Sequence, residues 1–356
     1  SAPCPVMTMV WRAFKLRAVS ITCCTKALPA SRCKTLGILL FIRVPLPAAM
    51  ITTSKAVMSF ILILRRIIRH ASVWLVLAAL VGLSGCSTLK LVYNSSDDLV
   101  YWWLDGYADL QDGQKQFTRE ALTDLQRWHR QQQLPEYVAL LKRMQAMAPH
   151  DITPAQVCAV TEDMRSSFIR LLRYVEPATA QLAVQLNPDQ LRSVRKRFDK
   201  TNKTWKEDWL DPDAEERLRY RTKQATNRLE DFYGRLDKPQ REALHQWLST
   251  SIFDPAFSYA ERERRQADTL QTLQRITQEA GAGHKQEPAQ QQLRGLVDRS
   301  FNTPNERLRT YSKALWQENC EGFAKLHNST TPAQRQHMVE TLRGYENDFK
   351  ILMTKK

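Results

Sequence analysis

The chain has 356 residues, 43% of them hydrophobic, which is enough for one or two ordinary domains with a real core. Its formal charge of +15 invites a nucleic-acid reading, but the charge is unevenly placed. Residues 1–57 hold eight Lys/Arg and no acid, and residues 58–85 add Arg65, Arg66 and Arg69, again without an acid; without those 11, 41 basic residues face 37 acidic ones from Cys86 onward, which argues against a nucleic-acid partner.

In chain order, residues 1–57 carry Pro3, Pro5, Pro29, Pro45 and Pro47 and follow no sustained period. They read as a spurious or non-structural upstream extension, with Met58 or Met50 as the true start; a functional basic arm is the alternative. From Met58 a basic stretch, an apolar run of 13 residues (Ala71–Leu83) and small residues follow, the layout of a secretory signal peptide over 58–85. As a helix that apolar run spans roughly 20 Å, short of the ~30 Å hydrocarbon core, so a cleaved signal fits better than a permanent span.

The run Leu83-Ser84-Gly85-Cys86 resembles the lipobox of bacterial lipoproteins. Small side chains let the backbone enter a peptidase cleft extended, and the thiol accepts a diacylglyceryl group. The resemblance implies cleavage before Cys86, a thioether-linked lipid on its sulfur and an N-acyl chain, so that residues 86–97 form a lipidated tether. Two or three chains at ~0.8 kcal/mol per buried CH₂ anchor stably where one is marginal. It also implies a body held in the cell envelope facing the periplasm, and Ser87 leans toward the outer membrane. No other cofactor is expected.

Residues 98–356 read as one all-helical periplasmic domain. Phe117, Ala121, Leu125 and Trp128 step by helical intervals, as do Val157, Val160, Met164, Phe168, Leu171 and Val175, and no alternating run of strand length appears. Thr153-Pro-Ala-Gln156, Asn187-Pro-Asp-Gln190, Thr303-Pro-Asn-Glu306 and Thr331-Pro-Ala-Gln334 share the grammar of a helix start, with a capping residue, Pro at the first turn and Gln or Glu three places on. Asp237-Lys-Pro-Gln240 is a variant, and Pro135, Pro212 and Pro255 mark further breaks. The fold class is all-α, a single irregular multi-helix bundle of about ten helices, with its longest loop near Ala280–Pro288.

Candidate chemistry is sparse. Asp98, Asp105, Asp109 and Asp112 are spaced to line one face of the first helix, as a cation or acid/base site or as a solvated face. Tyr93, Tyr101, Trp102, Trp103 and Tyr107 form an aromatic cluster directly after the anchor, which either rests at the membrane interface or packs onto the bundle. Arg192, Arg195, Lys196, Arg197, Lys200 and Lys203 form a candidate patch for an anionic ligand, such as anionic lipid, lipopolysaccharide phosphate or an acidic envelope protein. A charged exterior over a helical core is the plainer reading of the same stretch. No catalytic or metal-binding set is expected: the histidines show no HExxH spacing, and GxSxG, a Gly-rich phosphate loop and CxxC are missing. Cys158 and Cys320 are the remaining mature thiols, a candidate disulfide or else two small core residues.

Two resemblances bear on function. The boxes [IL]-[TN]-P-x-Q are similar to the LTxxQ motif of Spy/CpxP-like helical chaperones, which implies client holding, although capping alone explains them. With the lipobox, the stretches YNSSDDLVYWWLDGYADLQDGQ and FYGRLDKPQREALHQWL resemble a family of uncharacterised Gram-negative lipoproteins over most of Cys86–Lys356. That resemblance implies location and a helical fold and carries over no catalytic residue. The expectation is a non-enzymatic binding or scaffolding lipoprotein, with a chaperone-like holder second. An envelope hydrolase built on Asp105/Asp109 comes last.

Overall fold

The structure, a computed structural model, describes residues 88–281 and 286–354. The upstream extension, the signal segment, the lipobox Leu83-Ser84-Gly85 and Cys86 lie outside the described residues. Every regular element among those described is helical. They are α1 (Thr88–Asn94), α2 (Ser96–Ala108), α3 (Asp112–Trp128), a π-helical segment (His129–Gln133), α4 (Leu134–Met147), α5 (Pro154–Ala183), α6 (Pro188–Trp209), α7 (Ala214–Tyr233), α8 (Lys238–Ser249), α9 (Pro255–Gly281), α10 (Gln286–Phe301), α11 (Glu306–Asn328) and α12 (Pro332–Thr354). The all-α multi-helix bundle read from the sequence is therefore the fold. The stretch read as a tether is helical from Thr88, and Lys90 on it is 3.3 Å from Asp348 of α12.

Proline at position 135 does not break the chain as expected. Helix runs without interruption from Asp112 to Met147, and the π-helical segment lies immediately before Pro135, with the Leu134 N–H reaching back to the His129 carbonyl. A proline ring has no N–H to donate and crowds the carbonyl four residues back, and the wider π turn accommodates both defects. Gln133 in that turn is buried, and its amide donates to the Ser167 carbonyl of α5 at 2.6 Å.

The helix starts follow the capping grammar, with one correction. Thr153, Asn187 and Asp237 each accept the N–H of the glutamine three places on, and that glutamine accepts the cap's own N–H in return. Thr331 and Gln334 do the same. Thr303 does not cap a helix: α11 begins at Glu306 and is capped by Asn305, whose side chain accepts the Leu308 N–H, while Thr303 accepts from Asn305. Asparagine is the stronger cap and stands two residues closer to the apolar periodicity of α11. A further box, missed because glutamine is a poor cap, starts α3, where Gln114 Oε1 accepts the Gln111 N–H.

Four of these glutamines do more than cap. Gln114 and Gln190 face each other across the starts of α3 and α6, each amide donating to the other's oxygen at 3.3 and 2.6 Å. Each also donates to a backbone carbonyl just ahead of the other's cap: Gln114 to Gln185, Gln190 to Asp109. Gln240 and Gln334 repeat the arrangement at the starts of α8 and α12, donating to each other at 2.8 and 2.9 Å and to the Ser329 and Arg235 carbonyls. A buried amide with all its groups paired holds two helix starts in fixed register, since any shift leaves polar atoms unmet. Gln156 makes no such crossing bond; its side chain serves only Thr153.

The apolar interior gathers in three places. The largest holds Leu229, Tyr233, Leu236, Leu244, Leu326, Met338, Val339 and Leu342, contributed by α7, α8, α11 and α12 and closed by Ala148 after α4. Ala180, Ala183, Ile276, Ala289 and Leu293 join α5, α9 and α10. Tyr101, Leu110 and Leu122 join α2 to α3. Gly322 of α11 lets α8 approach closely: a Cβ there would sit 2.0 Å from Cε2 of Trp247.

Candidate functional site

The N-terminal helices carry the most unusual surface. Tyr93, Tyr101 and Tyr107 turn inward, whereas Trp102 and Trp103 turn out, so the aromatic cluster divides between the two readings made of it. Tyr93 Oη lies 2.8 Å from His129 Nδ1, Tyr101 is buried under the Arg119 guanidinium at 3.7 Å, and Tyr107 packs edge-on against Phe198 of α6. Trp102 is 62% exposed and Trp103 and Leu99 are each 40% exposed. With Gly106 these occupy i, i+3, i+4 and i+7 positions and form an apolar stripe on the outward side of α2, bordered by the exposed Asp98. The outward stripe of a surface helix normally holds the polar and charged residues. On α1, Leu91 is also exposed, at 67%.

Helix α6 packs beside α2 and brings the basic patch with it. Arg192, Arg195, Lys196, Lys200 and Lys203 lie on its exposed side, Arg192 paired with Asp189 and Lys203 4.0 Å from Glu207. Arg197 leaves the patch: it is half-buried, with its guanidinium 5.4 Å above the Tyr107 ring. The aromatics of this stretch, Phe198 and Trp205, face Tyr107 and Tyr259 respectively, so they belong to packing and not to a base-stacking platform.

The four aspartates do not share a helix face. Helix α2 stops at Ala108, and Asp109 adopts a left-handed conformation with φ 50°. Asp112 opens α3, 3.7 Å from Lys115. Asp98 is 3.3 Å from Arg119, and Asp105 accepts the Leu110 N–H at 3.0 Å. The sequence reading carried the helical period through Asp109, where the chain in fact turns; aspartate is among the few residues that tolerate that conformation. Among the described residues no group of three or more His, Cys, Asp or Glu could hold a metal ion, and no helix is long and apolar enough to cross a membrane.

Two Tyr–His pairs, Tyr93–His129 half-buried and Tyr233–His327 buried, are the other polar features of note. Burial pushes Tyr93 and Tyr137 up to about 12 and His129 down to about 4, so all three are neutral near pH 7. The Tyr93 hydroxyl then donates to the imidazole and ties α1 to the π-helical segment. His327 pairs with Tyr233 at 2.8 Å and its Nε2 lies 2.9 Å from the His150 carbonyl, so it donates there and accepts from the phenol. Burial lowers the pKa of His327 and raises that of Tyr233. The second pair joins α7 to α11 beside the largest apolar cluster.

A surface groove of about 320 Å³ between α4 and α5 is lined by Glu136, Arg143, Asp163 and Arg170. Its charges pair off as Arg143 with Asp163 and Arg170 with Glu136, leaving no net charge toward a ligand. Near its N-terminal end α5 meets α11 through a disulfide: the Cys158 and Cys320 sulfurs are 2.03 Å apart and their Cα atoms 5.5 Å apart, across a sequence separation of 162.

Fold and site together define an all-α bundle with amide-locked helix starts, cross-linked by the Cys158–Cys320 disulfide and presenting an apolar outer face on its N-terminal helices. The chain belongs to a family of unknown function, DUF6279, whose profile matches residues 106–293. That is an uncharacterised family, matched over a narrower stretch than the resemblance in the sequence, which takes in most of Cys86–Lys356. No curated protein and no solved structure matches the chain.

Proposed function

We propose that this chain is a membrane-anchored lipoprotein of the cell envelope, lipidated on Cys86, facing the periplasm, with a non-enzymatic binding or scaffolding role. The observation that carries the reading is the Cys158–Cys320 disulfide, which ties α5 to α11 and belongs to an oxidising compartment such as the periplasm. The lipobox ahead of the described body agrees with that compartment. The patch of Arg192, Arg195, Lys196, Lys200 and Lys203 suits an anionic lipid, lipopolysaccharide or an acidic envelope protein. The chaperone-like alternative gains nothing from the cap glutamines, because Gln114, Gln190, Gln240 and Gln334 spend their amides on one another. The hydrolase alternative loses its carboxylate pair, since Asp105 is committed to the Leu110 N–H and Asp109 has left the helix.

The test is metabolic palmitate labelling of the full chain and of Cys86→Ala in a bacterial host, with membrane fractionation. Label and membrane association in the parent alone are expected. Equal labelling of both would remove the anchor and the location that follows from it.

A further inference from the structure

We propose that the outer face of α1 and α2 is a seat for the phospholipid bilayer, in which Trp102 and Trp103 enter the interfacial layer and the basic side of α6 meets anionic headgroups. This inference deepens the lipoprotein reading and rests on it for the position of Cys86. Three observations converge.

The first is composition. Leu99, Trp102, Trp103 and Gly106 make an outward apolar stripe, and Leu91 extends apolar exposure onto α1. Tryptophan is favoured at the membrane–water boundary, where its ring is apolar and its indole N–H finds headgroup oxygens. An apolar stripe left uncovered on a water-facing helix has no such compensation.

The second is chain distance. The undescribed N-terminal stretch ends at Ser87, and α1 begins at Thr88, two residues after the proposed lipid attachment at Cys86. Leu91 stands five residues from that cysteine and Trp102 sixteen, most of them helical, which at ~1.5 Å per residue keeps both tryptophans within roughly 25 Å of the anchor. A lipid on Cys86 therefore keeps this face within that distance of the bilayer.

The third is charge. Trp103 contacts Tyr107, which contacts Phe198 and lies under Arg197, so α2 packs directly on the helix whose exposed side carries Arg192, Arg195, Lys196, Lys200 and Lys203, with Asp199 among them. Apolar and basic surfaces side by side are the combination that binds anionic bilayers. Of the acids nearest the stripe, Asp98 is paired with Arg119, and Asp105 accepts the Leu110 N–H.

The experiment measures tryptophan emission of the full chain on vesicles of phosphatidylcholine and phosphatidylglycerol whose acyl chains are brominated. It is run with Trp102→Phe/Trp103→Phe introduced into the parent and into Cys86→Ala, beside the palmitate labelling above. Both residues are exposed, so the double variant should fold, and an unchanged thermal midpoint checks this. Bromine quenching in the parent background should fall by at least about half in the double variant, and Leu99→Ser/Trp102→Ser should weaken sedimentation of Cys86→Ala with the vesicles, most steeply at high salt, where the basic side of α6 is screened. Labelling with no tryptophan-dependent quenching would overturn the seat and leave the anchor standing. Tryptophan-dependent quenching without labelling would overturn the anchor and leave the seat. If the two tryptophans stay unquenched while the chain sediments as a dimer that Trp102→Ser abolishes, the face belongs to a second copy and the proposal fails.

Discussion

Replacing Gln114 by alanine tests the amide pairing of helix starts. Gln114 is 4% exposed, and its side chain takes part in four bonds: it accepts from Gln111 N and Gln190 Nε2, and donates to the Gln185 carbonyl and Gln190 Oε1. Truncation removes a cap worth about 1 kcal/mol and leaves the buried amide of Gln190 half paired, which adds about 1–3 kcal/mol. The expected loss is therefore about 3 kcal/mol, or roughly 6–12 °C in thermal midpoint for a body of this size. Gln156→Ala is the internal control, since that glutamine keeps the cap bond but is exposed and crosses to nothing, and it should lose only about 0.5–1 kcal/mol. Urea denaturation followed by helical circular dichroism supplies the numbers. A cycle of Gln114→Leu, Gln190→Leu and the double variant should show a coupling of about 1–3 kcal/mol, because the second substitution removes a group already orphaned by the first. Equal losses for Gln114→Ala and Gln156→Ala, or strictly additive leucine substitutions, would refute the pairing as a source of stability.

Three further outcomes follow from other parts of the molecule. Burial holds His129 at about 4 against an ordinary 6.5, so the folded state takes up its proton later than the unfolded chain does; stability is full above pH 6.5 and declines as pH falls toward about 4, by up to about 3 kcal/mol, with His327 acting in the same direction, and His129→Gln should flatten the slope of urea midpoint against pH in that window. An unchanged slope in the variant would clear His129 of the effect. Gly322→Ala should lose about 2–3 kcal/mol by driving a methyl into Trp247, and less in a Trp247→Leu background, read as a double-mutant cycle by thermal denaturation. Cys158→Ser/Cys320→Ser, or reductant added to the parent, should lower stability by up to about 5 kcal/mol because the bond closes a loop of 162 residues; a parent indifferent to reductant would show the bond to be dispensable.

What could be read in advance was whatever one segment decides for itself. Thr153, Asn187, Asp237 and Thr331 cap where the sequence places them, because a cap and its glutamine are three residues apart and need no third party. Thr303 failed as a cap because a better acceptor, Asn305, stood inside the same turn. Pro135 failed as a break because the π turn that absorbs it is tied by Gln133 to Ser167, a residue of another helix. The reciprocal amides were illegible for the same reason: nothing near Gln114 names Gln190 as its partner. Likewise the aromatic cluster could be read as inward or outward until α3 and α6 were placed beside α2 and claimed Tyr101 and Tyr107.

The packing of α12 along α4 and the Cys158–Cys320 bond together redraw the boundary suggested by the family match. That match stops at residue 293, yet the most extensive helix–helix packing among the described residues joins α4 inside it to α12 beyond it. Cutting the chain after the matched stretch would strip Met338, Val339 and Leu342 from Leu229, Tyr233 and Leu244, and would leave Cys158 as an unpaired thiol. Such a truncation should be poorly soluble and prone to mixed disulfides. The smallest autonomous folding unit therefore includes the last helix, and a recombinant fragment meant for binding studies needs its C-terminal end.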